Sequence, residues 1–142
     1  MTQPDPQPYE LAHLITGVSR RLEAEIEERL RPEGVPIDQY RILRTLTSRD
    51  GQAMGELADA VLVDSPTLTK IVDRMVSNAL VYRAPEPKDR RKVLIFLSTK
   101  GKALQARLTG LVEIPSRGLA GRLGGKETEM LTSLLTRLMR PA

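Results

Sequence analysis

The chain has 142 residues, 40% apolar and 28% charged, with a net charge of +4 and a pI near 9.7. That length suits one domain, or a small module with accessory helices, and no uncharged apolar run approaches the roughly 18 residues that a membrane helix needs. Cysteine is absent, which excludes disulfides, thiolate metal sites and a thiol switch; with "MTQPDPQP" lacking the basic start and apolar core of a signal peptide, a cytoplasmic location is expected.

After the Pro-rich and frayed start, Leu11, Leu14, Ile15, Val18, Leu22, Ile26 and Leu30 recur at three- and four-residue steps. This spacing predicts a helix of about five turns with one apolar stripe, stopped by Pro32 and Gly34. A second helix opens near Pro36 and turns Ile37, Tyr40, Leu43 and Leu46 inward, until "SRDGQ" breaks it. A short helix follows from about Gly55 to Val61, then the turn "LVD".

The next helix is the most clearly signalled. Ser65 is placed to N-cap it, with Pro66 at the first helical position, where a missing N–H costs nothing. At 100° per residue, Leu68, Ile71, Val72, Met75 and Ala79 share one side, and Pro66, Lys70, Asp73, Arg74 and Ser77 the other. One face packs and the other is available for contact.

Two strands are predicted next, "LVYRA" and "VLIFL", joined by the charged connection "PEPKDRRK" as a hairpin. Ser98 caps a long helix from about Thr99, interrupted or kinked at Pro115. After "LGGKE" a final helix shows Met130, Leu131, Leu134, Leu135, Leu138 and Met139.

A short helix, a tight turn and an amphipathic helix followed by a β-hairpin form a winged helix-turn-helix, whose second helix enters the major groove of DNA. The expected class is therefore mainly α with a small β-hairpin wing, flanked by helices at both termini. Charge distribution agrees. Residues 1–35 carry four basic and seven acidic groups, whereas residues 64–92 carry seven basic and four acidic ones. Basic charge thus gathers where a nucleic-acid footprint needs it, although an ordinary solvated face produces a similar imbalance.

The segments "DQYRILRTL", "GELADAVLVDSPTLTKIVDRMVSNALVYR" and "PKDRRKVLIFLSTKG" also resemble, in order and spacing, the MarR (multiple antibiotic resistance regulator) transcription factors. The likeness spans roughly Val35 to Leu104, about half of the chain. It implies a homodimer whose first helix and last two helices intertwine, with two winged lobes reading a palindromic operator in double-stranded DNA. On that basis residues 1–34 are an N-terminal dimerisation helix, 35–98 the DNA-binding domain and 99–142 the C-terminal dimerisation helices. The resemblance puts Ser65, Pro66, Thr67, Thr69, Lys70 and Arg74 on or near the recognition surface. It makes Arg91 the minor-groove arginine, with Asp89 as the carboxylate that orients it, and assigns Arg90 and Lys92, beside Lys88 at the wing, to phosphates. Asp73 could either moderate charge or accept from cytosine.

Some positions depart from the family pattern. Ala53 and Met54 stand where a Ser or Thr often begins a capping box before Glu56; Leu62 and Ala79 replace turn glycines, with Asn78 available as the left-handed residue beside Ala79. The terminal stripes exceed what a lobe of this size covers, which favours a two-fold dimer over a helical cap on its own lobe.

The resemblance further implies release of DNA by a small, often aromatic or anionic, molecule bound between the dimer helices and the winged lobe. Tyr9, His13, Arg20, Tyr40 and Arg44 are candidates for lining that site, each equally explained as surface or core. An enzyme is not expected. The single histidine, His13, has no nucleophile or base partner in the pattern, and "GGKET" is not a phosphate loop, since Ala120 and Glu127 occupy its required glycine and Ser/Thr positions. No metal-ligand spacing or cofactor motif is present. The competing reading is a winged-helix protein-interaction module without sequence-specific DNA binding.

Overall fold

A computed structural model of the chain describes residues 5, 7–114 and 117–141. The elements in order are helix α1 (Pro8–Leu30), a 3₁₀ turn (Arg31–Glu33), α2 (Ile37–Ser48), strand β1 (Gln52–Ala53), α3 (Met54–Val61), α4 (Ser65–Ser77), β2 (Val81–Glu86), β3 (Asp89–Leu97), α5 (Thr99–Val112), a second 3₁₀ turn (Leu119–Arg122) and α6 (Gly125–Met139). Most of the Pro-rich start, and the kink expected at Pro115, lie outside the described residues. The chain divides into two compact units, residues 1–26 with 114–142, and residues 27–113.

The central unit is a winged helix-turn-helix with its own core. Leu43, Leu46, Leu57, Leu68, Val72, Met75, Ile95 and Leu108 are wholly buried there, each worth about 1.5–3 kcal/mol as area removed from water. Among the described residues, every buried apolar side chain falls between Leu30 and Val112. The sheet is three-stranded and antiparallel, ordered β1-β3-β2. The two-residue β1 is absent from the sequence reading, being too short for any alternation to register.

Three expectations are corrected. The charged connection is mostly strand: β2 runs to Glu86 and β3 starts at Asp89, leaving only Pro87 and Lys88 as the turn. The pairing passes from Pro85↔Val93 directly to Glu86↔Asp89, so Arg90, Arg91 and Lys92 have no residue across from them. Pro85 has no N–H to continue the ladder, and the bulge turns these cations away from regular pairing.

Second, the N-cap of α4 is Asp64 and not Ser65; its carboxylate accepts from the Thr67 N–H at 2.8 Å. Those bonds from Thr67 hold the Asp64 carboxyl below the usual carboxylate range. Third, Asn78 is not left-handed (φ −88°); Ala79 is, at φ 59°, and Leu62 at φ 63°. The Leu80 N–H bonds the Met75 carbonyl and the Val63 N–H the Ala58 carbonyl, six-residue closures that place the left-handed residue immediately before the donor. Reversal at Ala79 buries Leu80, and it leaves Ala79 itself exposed rather than on the packed side.

Leu62 is 70% exposed, so its side chain contributes little to offset the strained backbone. Leu62→Gly should therefore stabilise the protein by about 0.5–1 kcal/mol, read as a thermal midpoint a few degrees higher at fixed protein concentration. A lower midpoint would mean that the Leu62 side chain has a packing role. The uncapped start of α3 agrees with the sequence, since Ala53 makes no side-chain cap bond, as does Ser98 capping α5 through the Gly101 N–H at 2.9 Å.

In the terminal unit, α1 and α6 keep their apolar stripes but cover them poorly. Leu14 is 56% exposed and Leu138 66%, and no residue of α6 is buried. Leu11, Leu14, Ile15, Val18, Leu131, Leu134, Leu135 and Leu138 line a groove of about 480 Å³. Glu25 accepts from the Leu119 N–H at 2.8 Å and tethers the second 3₁₀ turn to α1. Among the described residues, no helix is long and apolar enough to cross a membrane.

Candidate nucleic-acid interface

Helix α4 presents a sharply divided surface. Leu68, Val72 and Met75 are completely buried, while Ser65, Pro66, Thr67, Thr69, Lys70, Asp73, Arg74 and Ser77 are exposed. The Thr69 hydroxyl donates to the Ser65 carbonyl at 3.0 Å, so toward solvent it offers oxygen lone pairs and a methyl group. Lys70 and Arg74 stand one helical turn apart on the same face. With Pro36, Asp38, Gln39, Thr67 and Ile71 they line a cleft of about 340 Å³.

On the wing, Asp89 Oδ1 accepts from Arg91 Nε at 3.2 Å and from the Arg91 N–H at 3.1 Å. The Arg91 side chain is 92% exposed, and Asp89 is 34% exposed. A guanidinium so exposed gains little stability from its pair, so the chief effect of Asp89 is on where Arg91 points. Among the described residues, no carboxylate lies within 4.0 Å of the cationic groups of Lys70, Arg74, Lys88, Arg90 or Lys92. A solvated surface usually intersperses both signs. Here α4 and the wing of the same unit expose these five cations without such pairing.

Sequence reasoning did not anticipate the ion pair between Asp73 of α4 and Arg83 of β2. Both residues were legible as charges, but their meeting depends on how β2 packs against α4. Sequence reasoning also missed Glu113. The Tyr40 hydroxyl donates to Glu113 Oε1 at 3.1 Å and the Arg44 guanidinium lies 3.6 Å from the same oxygen. Burial raises the Tyr40 phenol above its ordinary pKa. Of the ligand candidates, the structure thus brings Tyr40 and Arg44 together in the central unit. In the terminal unit Tyr9 and His13 stack with ring centroids 6.1 Å apart, and Arg20 is exposed.

The profile of the MarR family matches residues 35–93. A cysteine-to-serine variant of MarR from E. coli, solved in complex with operator DNA, is 30% identical to this chain and superposes with a TM-score of 0.80 over 92% of this chain and 94% of that one. The chain belongs to the MarR family. Other relatives match over almost the full length. The HTH-type transcriptional repressor NicR of Pseudomonas putida is 27% identical over 139 residues, 95% of this chain and 88% of the relative. The transcriptional regulator HosA of Escherichia coli is 24% identical over 131 residues, 92% of this chain and 93% of the relative. As a MarR-family transcriptional regulator, the protein has α3 and α4 as its helix-turn-helix and β2 and β3 as its wing.

Proposed function

We propose that this regulator binds a palindromic operator as a homodimer in the cytoplasm and represses transcription by occupying a promoter. The observation that carries the reading is the cationic surface of α4 and the wing. Lys70 and Arg74 lie on the exposed face of α4, and Arg90, Arg91 and Lys92 in a bulge of β3 without partners across the ladder. In this reading the exposed face of α4, from Ser65 and Pro66 through Thr67, Thr69, Lys70 and Arg74, reads bases in the major groove. Arg91, oriented by Asp89, enters the minor groove; Lys88, Arg90 and Lys92 bind phosphates, which hold register without reading sequence. Residues 35–98 act as the DNA-binding domain, and residues 1–34 and 99–142 supply the dimerisation helices. The uncovered apolar stripes of α1 and α6 support that assignment. The operator complex of the E. coli relative and the name of the P. putida repressor support the direction of the reading.

An aromatic or anionic effector would act by population shift, weakening operator binding only through its differential affinity for two states of the dimer. Tyr9, His13, Arg20, Tyr40 and Arg44 are the residues offered for contact with it.

Lys92→Ala tests the sorting of phosphate from base contacts. Affinity should fall for every duplex alike, with the slope of log affinity against log salt reduced by about one per protomer. An altered base preference would place Lys92 among the reading residues instead.

A further inference from the structure

An ion pair ties the edge of the wing to the recognition helix. Asp73 lies on the exposed face of α4 with Lys70, Arg74 and Ser77, where a carboxylate could accept from the amino group of a cytosine. Its Oδ1 is instead engaged by the Arg83 guanidinium of β2. The side chains are 60% and 37% exposed, and a pair so accessible contributes little to folding. Its place in the fold is more informative than its strength.

β3 is the central strand of the sheet. One side of its root is held by β1, through Gln52↔Ile95 and Ala53↔Leu94, and by Asp50, which accepts from the Leu97 N–H at 2.9 Å. On the other side lies β2, an edge strand with no further strand beyond it among the described residues. Arg83 stands opposite Ile95 in the ladder, and Arg91 lies four residues farther out on β3, up to about 13 Å away at strand rise. Over that lever a swing of about 10° at the root displaces Arg91 by about 2 Å. Hydrogen-bond distances tolerate only a few tenths of an ångström.

We propose that Asp73 is a positioning residue and does not read a base: with Arg83 it forms a brace that fixes the wing against the recognition helix, so that both grooves are read in one register. The inference rests on the DNA-binding reading above and assigns the role within it that the sequence left open.

The test uses the full-length protein and an operator selected by the wild type. Asp73→Asn, Arg83→Gln and their double variant, together with Arg83→Lys, are titrated against the operator, against a scrambled duplex and against every single-base-pair change in one half-site. Each single variant should lower the operator-to-scrambled affinity ratio by about fivefold to tenfold. The double variant should be no worse than either single one, and Arg83→Lys should recover most of the loss. Thermal midpoints should stay close to wild type, which a merely structural role would not explain. Preference at each base position should persist.

Relaxed discrimination at a single G·C pair in Asp73→Asn, with Arg83→Gln unaffected, would overturn the brace and make Asp73 a cytosine acceptor. Equal tightening on both duplexes by Asp73→Asn would overturn it in favour of simple charge moderation. A wild type that selects no operator would overturn the DNA-binding reading and the brace together. A wild type with an operator and indifferent variants would overturn the brace alone.

Discussion

Leu138→Arg should dissociate the proposed homodimer and reduce operator affinity by at least 100-fold. Leu138 lies in α6, lines the apolar groove and is 66% exposed in the single chain, so a charge there costs the isolated protomer little. In a two-fold interface the same position occurs twice, and two further guanidinium groups would be forced into a surface made mostly of leucine, isoleucine and valine, with Ser19 and Arg137 also in its lining. Burying an unpaired charge costs several kcal/mol, enough to dissolve a dimer at micromolar concentration. A monomer also loses the gain from binding two half-sites on one duplex, about 10²–10⁴ in avidity. Sedimentation equilibrium of wild type and variant, with operator titration and far-UV circular dichroism, checks each step. Unchanged mass with unchanged affinity would remove the α1/α6 stripes from the interface.

Arg91→Ala should weaken operator binding by about 100-fold while leaving mass and thermal stability unchanged. The estimate takes roughly 1–2 kcal/mol per half-site for a well-placed groove contact, applied once per protomer. Nothing in the fold should suffer, because Arg91 is 92% exposed and its ion pair is with Asp89 on its own strand. Asp89→Ala should follow in the same direction with a smaller effect, since the guanidinium remains but loses the carboxylate that orients it. Titration of all three proteins on one operator measures the order. Equal affinities for wild type and Arg91→Ala would dismiss the minor-groove assignment.

The parts of this fold that follow from one-dimensional periodicity were legible in the sequence. Leu68, Val72 and Met75 announced the buried side of α4, and Leu14, Ile15 and Val18 the stripe of α1. Chain reversals were legible in part: among the described residues Leu62 and Ala79, where the family pattern has glycine, are the non-glycine positions with left-handed backbone, but the sequence pointed to Asn78 for the second. Asn78 misled because its tolerance of positive φ is intrinsic, whereas the closing bond from Leu80 to Met75 fixes which residue must reverse. Ser65 misled for a related reason. Asp64, one residue earlier, is an equally good cap, and the Thr67 N–H bonds to it.

Tertiary features were not legible. Strand β1 exists because Gln52 and Ala53 meet β3, and two residues carry no alternation of their own. The wing strands run farther than their apolar cores because pairing, not hydrophobicity, extends them as far as Glu86 and Asp89. Asp73 with Arg83, and Glu113 with Tyr40 and Arg44, are partners set by packing. Each was visible only as a charge or a phenol in the chain. In the candidate site, the sequence thus supplied the cations and the structure supplied their pairing state.

The most direct measurement is selection of bound duplexes from a random library at moderate salt, followed by titration of the enriched sequence over a salt series. Enrichment of a two-fold-symmetric site, with half-sites about one helical turn or ~34 Å apart, is the expected result. Its affinity should fall steeply with salt, as expected when several phosphates are neutralised by each protomer. Enrichment of no sequence, whether or not weak salt-sensitive binding remains, would contradict a dimeric operator-binding regulator and leave a non-specific binder or a protein-interaction module.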